Sequence, residues 1–368
     1  MVPTPVPTLA PPLSPTLARA APGDVLRATA FPDAPAGSAA WHIVYAAAGL
    51  DGRLIAVSAL IIVPESPPPP GGRNVVAWLH PTTGVARDCA PTSGPHPFEQ
   101  IQGLQAFLDA GYAVVATDYP GLGGPGIHPY LVGVSEGRAA LDLVRAAQGF
   151  APAGASPRFA VWGHSQGGHA ALFAASLARS YAPELRLVGI AAAAPAVDLD
   201  ALLREPGDNP LWGTLLSYTV WSWARIYGLP EDGILPRAAQ PVVARTAAEC
   251  LETRTELDTL IADTSELRGV TVAPDPRWRD VLRANTPNPD NPGVPVFLAQ
   301  GGSDPVIPDA ATRAFAKALC RAGVRVRYDA MPDVDHYTAA VKSAPAAAAW
   351  IVDRFIGRPA RDDCAGLT

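Results

Sequence analysis

Arg158-Phe159-Ala160-Val161-Trp162-Gly163-His164-Ser165-Gln166-Gly167-Gly168-His169-Ala170-Ala171-Leu172 is the stretch that decides how this chain folds. Through Trp162 it is short and apolar, the pattern of a buried strand, and from Gly168 to Ala178 it is a good helix former. Between them lies G-x-S-x-G. A strand that turns sharply at such a serine and enters a helix lifts the hydroxyl above the sheet. The flanking glycines belong to that turn, because a Cβ at either would meet the neighbouring strand or helix. The pentapeptide alone is a weak signal, and Ser165 could instead cap a helix. Its strand-and-helix context favours the nucleophile.

The rest of the chain reads as alternating strands and helices. Trp41 to Tyr45 and Arg53 to Val63 form an antiparallel hairpin around Gly49-Leu50-Asp51-Gly52. Asn74 to Leu79 is a central strand ending at His80-Pro81-Thr82-Thr83-Gly84, and a helix is expected over Phe98–Ala110, closed by Gly111. Ala113 to Thr117 is the next strand, 131–149 is helical, and Leu187 to Ala192 is a strand beyond the serine helix. Val294 to Ala299 and Val324 to Ala330 complete the sheet; a helix around 309–322 lies between them, and a loop holding His336 leads to a closing helix at about 344–356. Such alternation predicts a mainly parallel central sheet with helices on both faces. Regularity lapses over about 198–293, which reads as an inserted cap or lid in a single domain spanning 25–368. Its helix from Leu211 to Leu229 is apolar nearly all round. That pattern suits core packing or a ligand wall equally, and in the second case Trp212, Tyr218, Trp221 and Trp223 would bind substrate.

Composition narrows the function. The chain has 368 residues, 48% hydrophobic, with a net charge of -6. That balance excludes the basic stripe of a nucleic-acid binder, and no apolar run is long enough for a transmembrane helix. Residues 1–24 are proline-rich and read as a flexible leader; they lack the charged and apolar regions of a signal peptide. The four cysteines, Cys89, Cys250, Cys320 and Cys364, fit no zinc spacing, so no metal site is expected. They allow three disulfide pairings, among which spacing does not choose.

A serine hydroxyl needs a base to take its proton, and histidine oriented by a carboxylate supplies one. The chain order serine, acid, histidine is met by Ser165, Asp304 and His336, each just beyond the end of a strand. His164 and His169 flank the serine too closely to reach back, and His80 suits a supporting role. The oxyanion needs two fixed N–H donors. Gln166 offers one, and the His80–Gly84 loop the other, with Thr83 the first choice and Thr82 or Gly84 next.

With these motifs in place, the chain resembles the secretory lipase family of α/β-hydrolases. The stretches that carry the resemblance are His80-Pro81-Thr82-Thr83-Gly84, Asp88-Cys89-Ala90-Pro91, Asp118-Tyr119-Pro120-Gly121-Leu122-Gly123, Gly163 to Gly168, and Leu298-Ala299-Gln300-Gly301 with Asp304. The resemblance implies an α/β-hydrolase fold and a serine esterase or lipase that uses no cofactor. It assigns Ser165, Asp304 and His336 to the triad and Thr83 to the oxyanion hole. It also implies the disulfides Cys89–Cys250 and Cys320–Cys364, and a secreted or periplasmic location whose export signal is absent from this sequence. Fungal members extend into a C-terminal tail that covers the site, whereas this chain stops soon after its last helix. The expected activity is therefore carboxylic ester hydrolysis through a Ser165 acyl-enzyme, with short or medium acyl chains favoured. Its substrate would be a small-molecule or lipid ester. The alternatives are an acyltransferase with the same triad and a non-catalytic binding protein on this scaffold.

Overall fold

The computed structural model describes residues 17–204, 206–251, 253–270 and 275–367. Its strands are β1 (Val25–Phe31), β2 (Ser38–Ala48), β3 (Leu54–Pro64), β4 (Arg73–Leu79), β5 (Ala113–Thr117), β6 (Ala155–His164), β7 (Arg186–Ala193), β8 (Val296–Gly301) and β9 (Val326–Met331). The helices between β4 and β7 are α1 (Leu104–Asp109), α2 (Gly133–Gly149) and α3 (Gln166–Tyr181). Between β7 and β8 run α4 (Leu199–Arg204), α5 (Trp212–Tyr227), α6 (Gln240–Thr246), α7 (Arg254–Asp263) and α8 (Pro276–Asn285). The remaining helices are α9 (Asp309–Arg321), α10 (His336–Phe355) and α11 (Cys364–Leu367).

Among the described residues the strands form one nine-stranded sheet in the order β1-β2-β3-β5-β4-β6-β7-β8-β9. From β5 to β9 every pairing is parallel, while β1, β2 and β3 add an antiparallel edge. β4 shows why its sequence is continuously apolar. Val75, Ala77 and Leu79 face one core with α2 and α3, whereas Val76 and Trp78 face another with α1 and α10. Side chains alternate across a strand, so a sheet covered on both faces needs an apolar residue at every position. The α/β-hydrolase architecture expected from the sequence is the one observed.

Several boundaries differ, each for a local reason. Of the leader expected over 1–24, residues 1–16 lie outside the described ones. Leu17 is buried, and the Gly23 N–H donates to the Ala46 carbonyl at 2.8 Å, so packing begins ahead of β1. The helix expected over Phe98–Ala110 reduces to α1, because Gly103 adopts a left-handed φ of 85° at its entrance. Conversely, the closing helix starts at His336, not near 344. Asp335 caps it by accepting the Thr338 N–H at 2.9 Å, and Pro345 sits inside the helix, not at its start.

At the elbow the two glycines have no alternative. A Cβ on Gly163 would lie 2.1 Å from the Gly167 carbonyl oxygen, and one on Gly167 would lie 1.8 Å from the Leu79 oxygen. Both obstacles are backbone, which cannot swing aside as a side chain does. Gly167→Ala is accordingly expected to lose at least ~3 kcal/mol of stability or fail to fold. Gly149→Ala, at the end of α2, meets nothing within 4 Å and should melt as the parent protein does. Thermal melts followed by circular dichroism compare the two; equal melting temperatures would remove the close contact as a constraint.

Candidate active site

Three loops at the carboxyl ends of parallel strands converge on one point. Ser165 follows β6 directly, Asp304 lies just past β8, and His336 lies just past β9 at the first residue of α10. This is the strand edge at which open α/β sheets bind ligands. Ser165 takes φ 55° and ψ -114°, a sparsely populated conformation for a residue with a Cβ. Such a residue costs about 1–3 kcal/mol and persists only where its surroundings enforce it. Between Phe159 and Leu172, Ser165 alone is not fully buried.

The side chains form a chain of hydrogen bonds. The Ser165 hydroxyl donates to His336 Nε2 at 2.9 Å, and His336 Nδ1–H donates to Asp304 Oδ2 at 2.8 Å. Asp304 is itself fixed: Oδ1 accepts the Val306 and Ile307 N–H groups, both at 2.8 Å, and Oδ2 also accepts Gln300 Nε2 at 3.1 Å. Gln300 in turn accepts the Thr312 hydroxyl at 2.7 Å. In this arrangement the imidazole can take the serine proton while the carboxylate holds it in the required tautomer.

Three residues that the sequence did not single out for this site support it. His164 Nε2–H donates to the His336 carbonyl at 2.9 Å, and the two rings lie 4.9 Å apart. Burial, with the neighbouring His336 charge second, lowers the His164 pKa to about 3. Behind the elbow, the Gln166 side-chain amide donates to Glu136 Oε1 at 2.7 Å and to His128 Nε2 at 3.1 Å. His128 Nδ1–H donates to the Pro120 carbonyl at 2.9 Å, and burial lowers its pKa, which leaves Nε2 free to accept. Neither His128 nor Glu136 carries a local sequence signal, since both meet Gln166 only through the tertiary fold. Gln166 begins α3, so its own backbone N–H has no acceptor within the helix.

The His80–Gly84 loop lies opposite. Burial pulls His80 down to about 4, and its ring lies against the Pro81 and Asp118 carbonyls at 2.6 and 3.3 Å. The Thr83 carbonyl accepts the Leu251 N–H at 2.8 Å, Gly84 bridges Cys250, and Cys89 and Cys250 form a disulfide. That link joins residues 161 apart in sequence, worth roughly 5 kcal/mol from chain entropy. A second disulfide joins Cys320 to Cys364.

Ser165 and His336 open into a cavity of about 730 Å³ that Thr82 and Thr83 also line. Its lining includes the aliphatic residues Leu211, Leu215, Leu251, Leu257 and Val306 together with the polar residues His96, Glu99, Gln102 and Arg254. The four aromatic residues expected there are elsewhere. Trp212, Tyr218 and Trp223 are wholly buried in the core of the 198–293 segment, and Trp221 is partly buried against it. Their polar atoms are spent on backbone: Trp212 donates to the Leu203 carbonyl, Tyr218 to Glu249 and Trp223 to Tyr130. The cavity meets this helix only at its entrance, through Leu211 and Leu215. All-round apolarity here reflects enclosure by the neighbouring helices.

Fold and site together place the chain among the α/β-hydrolases. It belongs to the secretory lipase family, whose model matches residues 99–363. "Lipase A" of Moesziomyces aphidis is 24% identical over 83% of this chain and 69% of its own length. A Mycobacterium tuberculosis protein named "Probable inactive lipase" is 29% identical over 70% of this chain and 58% of its own length. The solved structure of Candida antarctica lipase A matches with a TM-score of 0.77 at 21% identity, covering 95% of this chain and 86% of that one. Membership of that family makes the protein an ester-hydrolysing enzyme.

The neutral histidines make stability depend on pH. An unfolded histidine titrates near about 6.5, whereas His164 and His80 hold out to about 3 and about 4 when folded. Within that window the unfolded chain binds more protons, so stability is full above it and falls as pH drops through it. The melting temperature should decline between about pH 7 and 5, and His164→Gln should make the decline shallower. A flat profile in the wild type would contradict the neutral assignment.

Proposed function

We propose that the protein is a serine carboxylesterase or lipase working through a Ser165 acyl-enzyme. The observation that carries this reading is the continuous Ser165–His336–Asp304 hydrogen-bond chain beside an aliphatic cavity. His336 takes the proton as Ser165 Oγ attacks the ester carbonyl, then returns it to the leaving alkoxide. The backbone amides of Gln166 and Thr83 receive the oxyanion. Water, deprotonated by His336, then attacks the acyl-enzyme, and the proton passes back to Ser165 as the acid leaves.

The proposed preference is for short to medium acyl chains. The aliphatic wall formed by Leu211, Leu215, Leu251, Leu257 and Val306 suits an acyl chain, but polar side chains line the same cavity and limit that strip. A longer chain would gain little once it reached them. The segment 198–293 supplies most of this wall and acts as a cap. Secretion fits the two disulfides, which persist in oxidising compartments.

p-Nitrophenyl esters from acetyl to palmitoyl test the reading. Activity should peak at short or medium chains, disappear in Ser165→Ala, and fall about 10⁴-fold in Asp304→Asn, which keeps the shape but loses the carboxylate. A palmitoyl optimum would replace the chain-length assignment. Activity surviving in Ser165→Ala would end the acyl-enzyme reading. Acyl transfer to an added alcohol outpacing hydrolysis would make the protein an acyltransferase.

A further inference from the structure

Among the described residues, two threonine hydroxyls are buried without a hydrogen-bond partner, those of Thr83 and Thr246. Thr246 lies in α6, away from the cavity at Ser165. Thr83 is 3% exposed and lines that cavity. The adjacent Thr82 hydroxyl has a partner, the Tyr130 hydroxyl at 2.9 Å. A buried hydroxyl with no partner destabilises the resting protein, and one that also lines the cavity beside Ser165 is placed to be satisfied by what binds there.

We propose that the Thr83 hydroxyl is a third oxyanion donor, contacting the reacting oxygen alongside the amides of Thr83 and Gln166. The inference rests on the ester-hydrolysis reading above and adds a side-chain donor to it. Three features support the role. The loop is fixed on both sides, by the Leu251 N–H on the Thr83 carbonyl and by the Cys89–Cys250 disulfide beyond Gly84. Threonine is β-branched and stiff at χ1, so its hydroxyl loses little freedom when it donates. The acceptor becomes charged only during reaction, and a hydrogen bond to a charged oxygen is about twice as strong as one to a neutral carbonyl. The hydroxyl donates its hydrogen without giving up the proton. Its effect therefore falls on kcat and not on substrate binding.

Thr83→Val keeps the shape and removes only the hydroxyl. With a p-nitrophenyl butyrate substrate, kcat should fall about 100-fold with KM changed by less than about threefold. The melting temperature should hold or rise, because the variant buries no unpartnered hydroxyl. Thr83→Ser should recover at least about tenfold over Thr83→Val. An alkylboronic acid, which forms a tetrahedral adduct on serine, should lose affinity for Thr83→Val in step with kcat. A Thr83→Val kcat within about twofold of wild type would overturn the role. So would a fall in kcat accompanied by a lower melting temperature and no recovery in Thr83→Ser, which would mark a packing residue. If wild type hydrolysed no ester, the reading of the whole site would fail; an active wild type with an equally active Thr83→Val would remove the hydroxyl's role alone.

Discussion

The contact between the Gly167 backbone and the carboxyl end of β4 is the constraint on which the rest of the structure depends. With a Cβ there only 1.8 Å from the Leu79 oxygen, α3 has to be built from glycine at that point to lie as close as it does. This proximity brings Gln166, at the start of α3, to the loop that follows Leu79 and carries Thr83. It also forces Ser165 into its positive φ, because β6 and α3 leave no gentler path between them. Ser165 and the proposed oxyanion donors are thus set by one steric relation, before any hydrogen bond is counted.

Around this contact the polar groups are arranged to avoid competing charge. His80, His128 and His164 all lie near the candidate catalytic residues, and burial lowers the pKa of each. Each also has a hydrogen-bond partner that a neutral ring can serve. In the proposed mechanism, a second imidazolium beside His336 would oppose its taking the Ser165 proton. Asp304 gains the opposite treatment, accepting hydrogen bonds from two backbone amides, Gln300 and His336. These protein donors fix its geometry, and so the tautomer of His336.

Much of this was legible in the sequence because it depends on local order. The elbow needs residues adjacent in the chain, and the sheet strands announce themselves as continuous apolar runs such as Asn74 to Leu79. The order Ser165, Asp304, His336 follows from strands that end at the same edge. What could not be read depends on neighbours distant in sequence. His128 and Glu136 meet Gln166 only through the fold, and nothing near them distinguishes a clamp from an ordinary buried residue. The last helix begins eight residues before the expected start, because Asp335 caps it and it runs on through Pro345. The aromatic run in α5 fits a ligand wall and a core equally well by periodicity. Only the surrounding helices decide, and they enclose it.

The same enclosure bears on how the 198–293 segment relates to the residues around Ser165. The segment is tied to the loops that follow β4 and β5 at several separate points. Cys250 is bonded to Cys89, Trp223 donates to the Tyr130 carbonyl, and Ser222 donates to the His128 carbonyl. His169, one turn into α3, lies with Nε2 2.8 Å from the Asn285 carbonyl, while its Nδ1 faces Glu136 Oε2 at 3.2 Å. Glu136 also holds Gln166. A hydrogen-bonded path therefore runs from α8 through His169 and Glu136 to Gln166, the residue beside Ser165. The segment is part of the framework that sets the site, and its aliphatic face can vary only within limits that keep His169 and Gln166 in place.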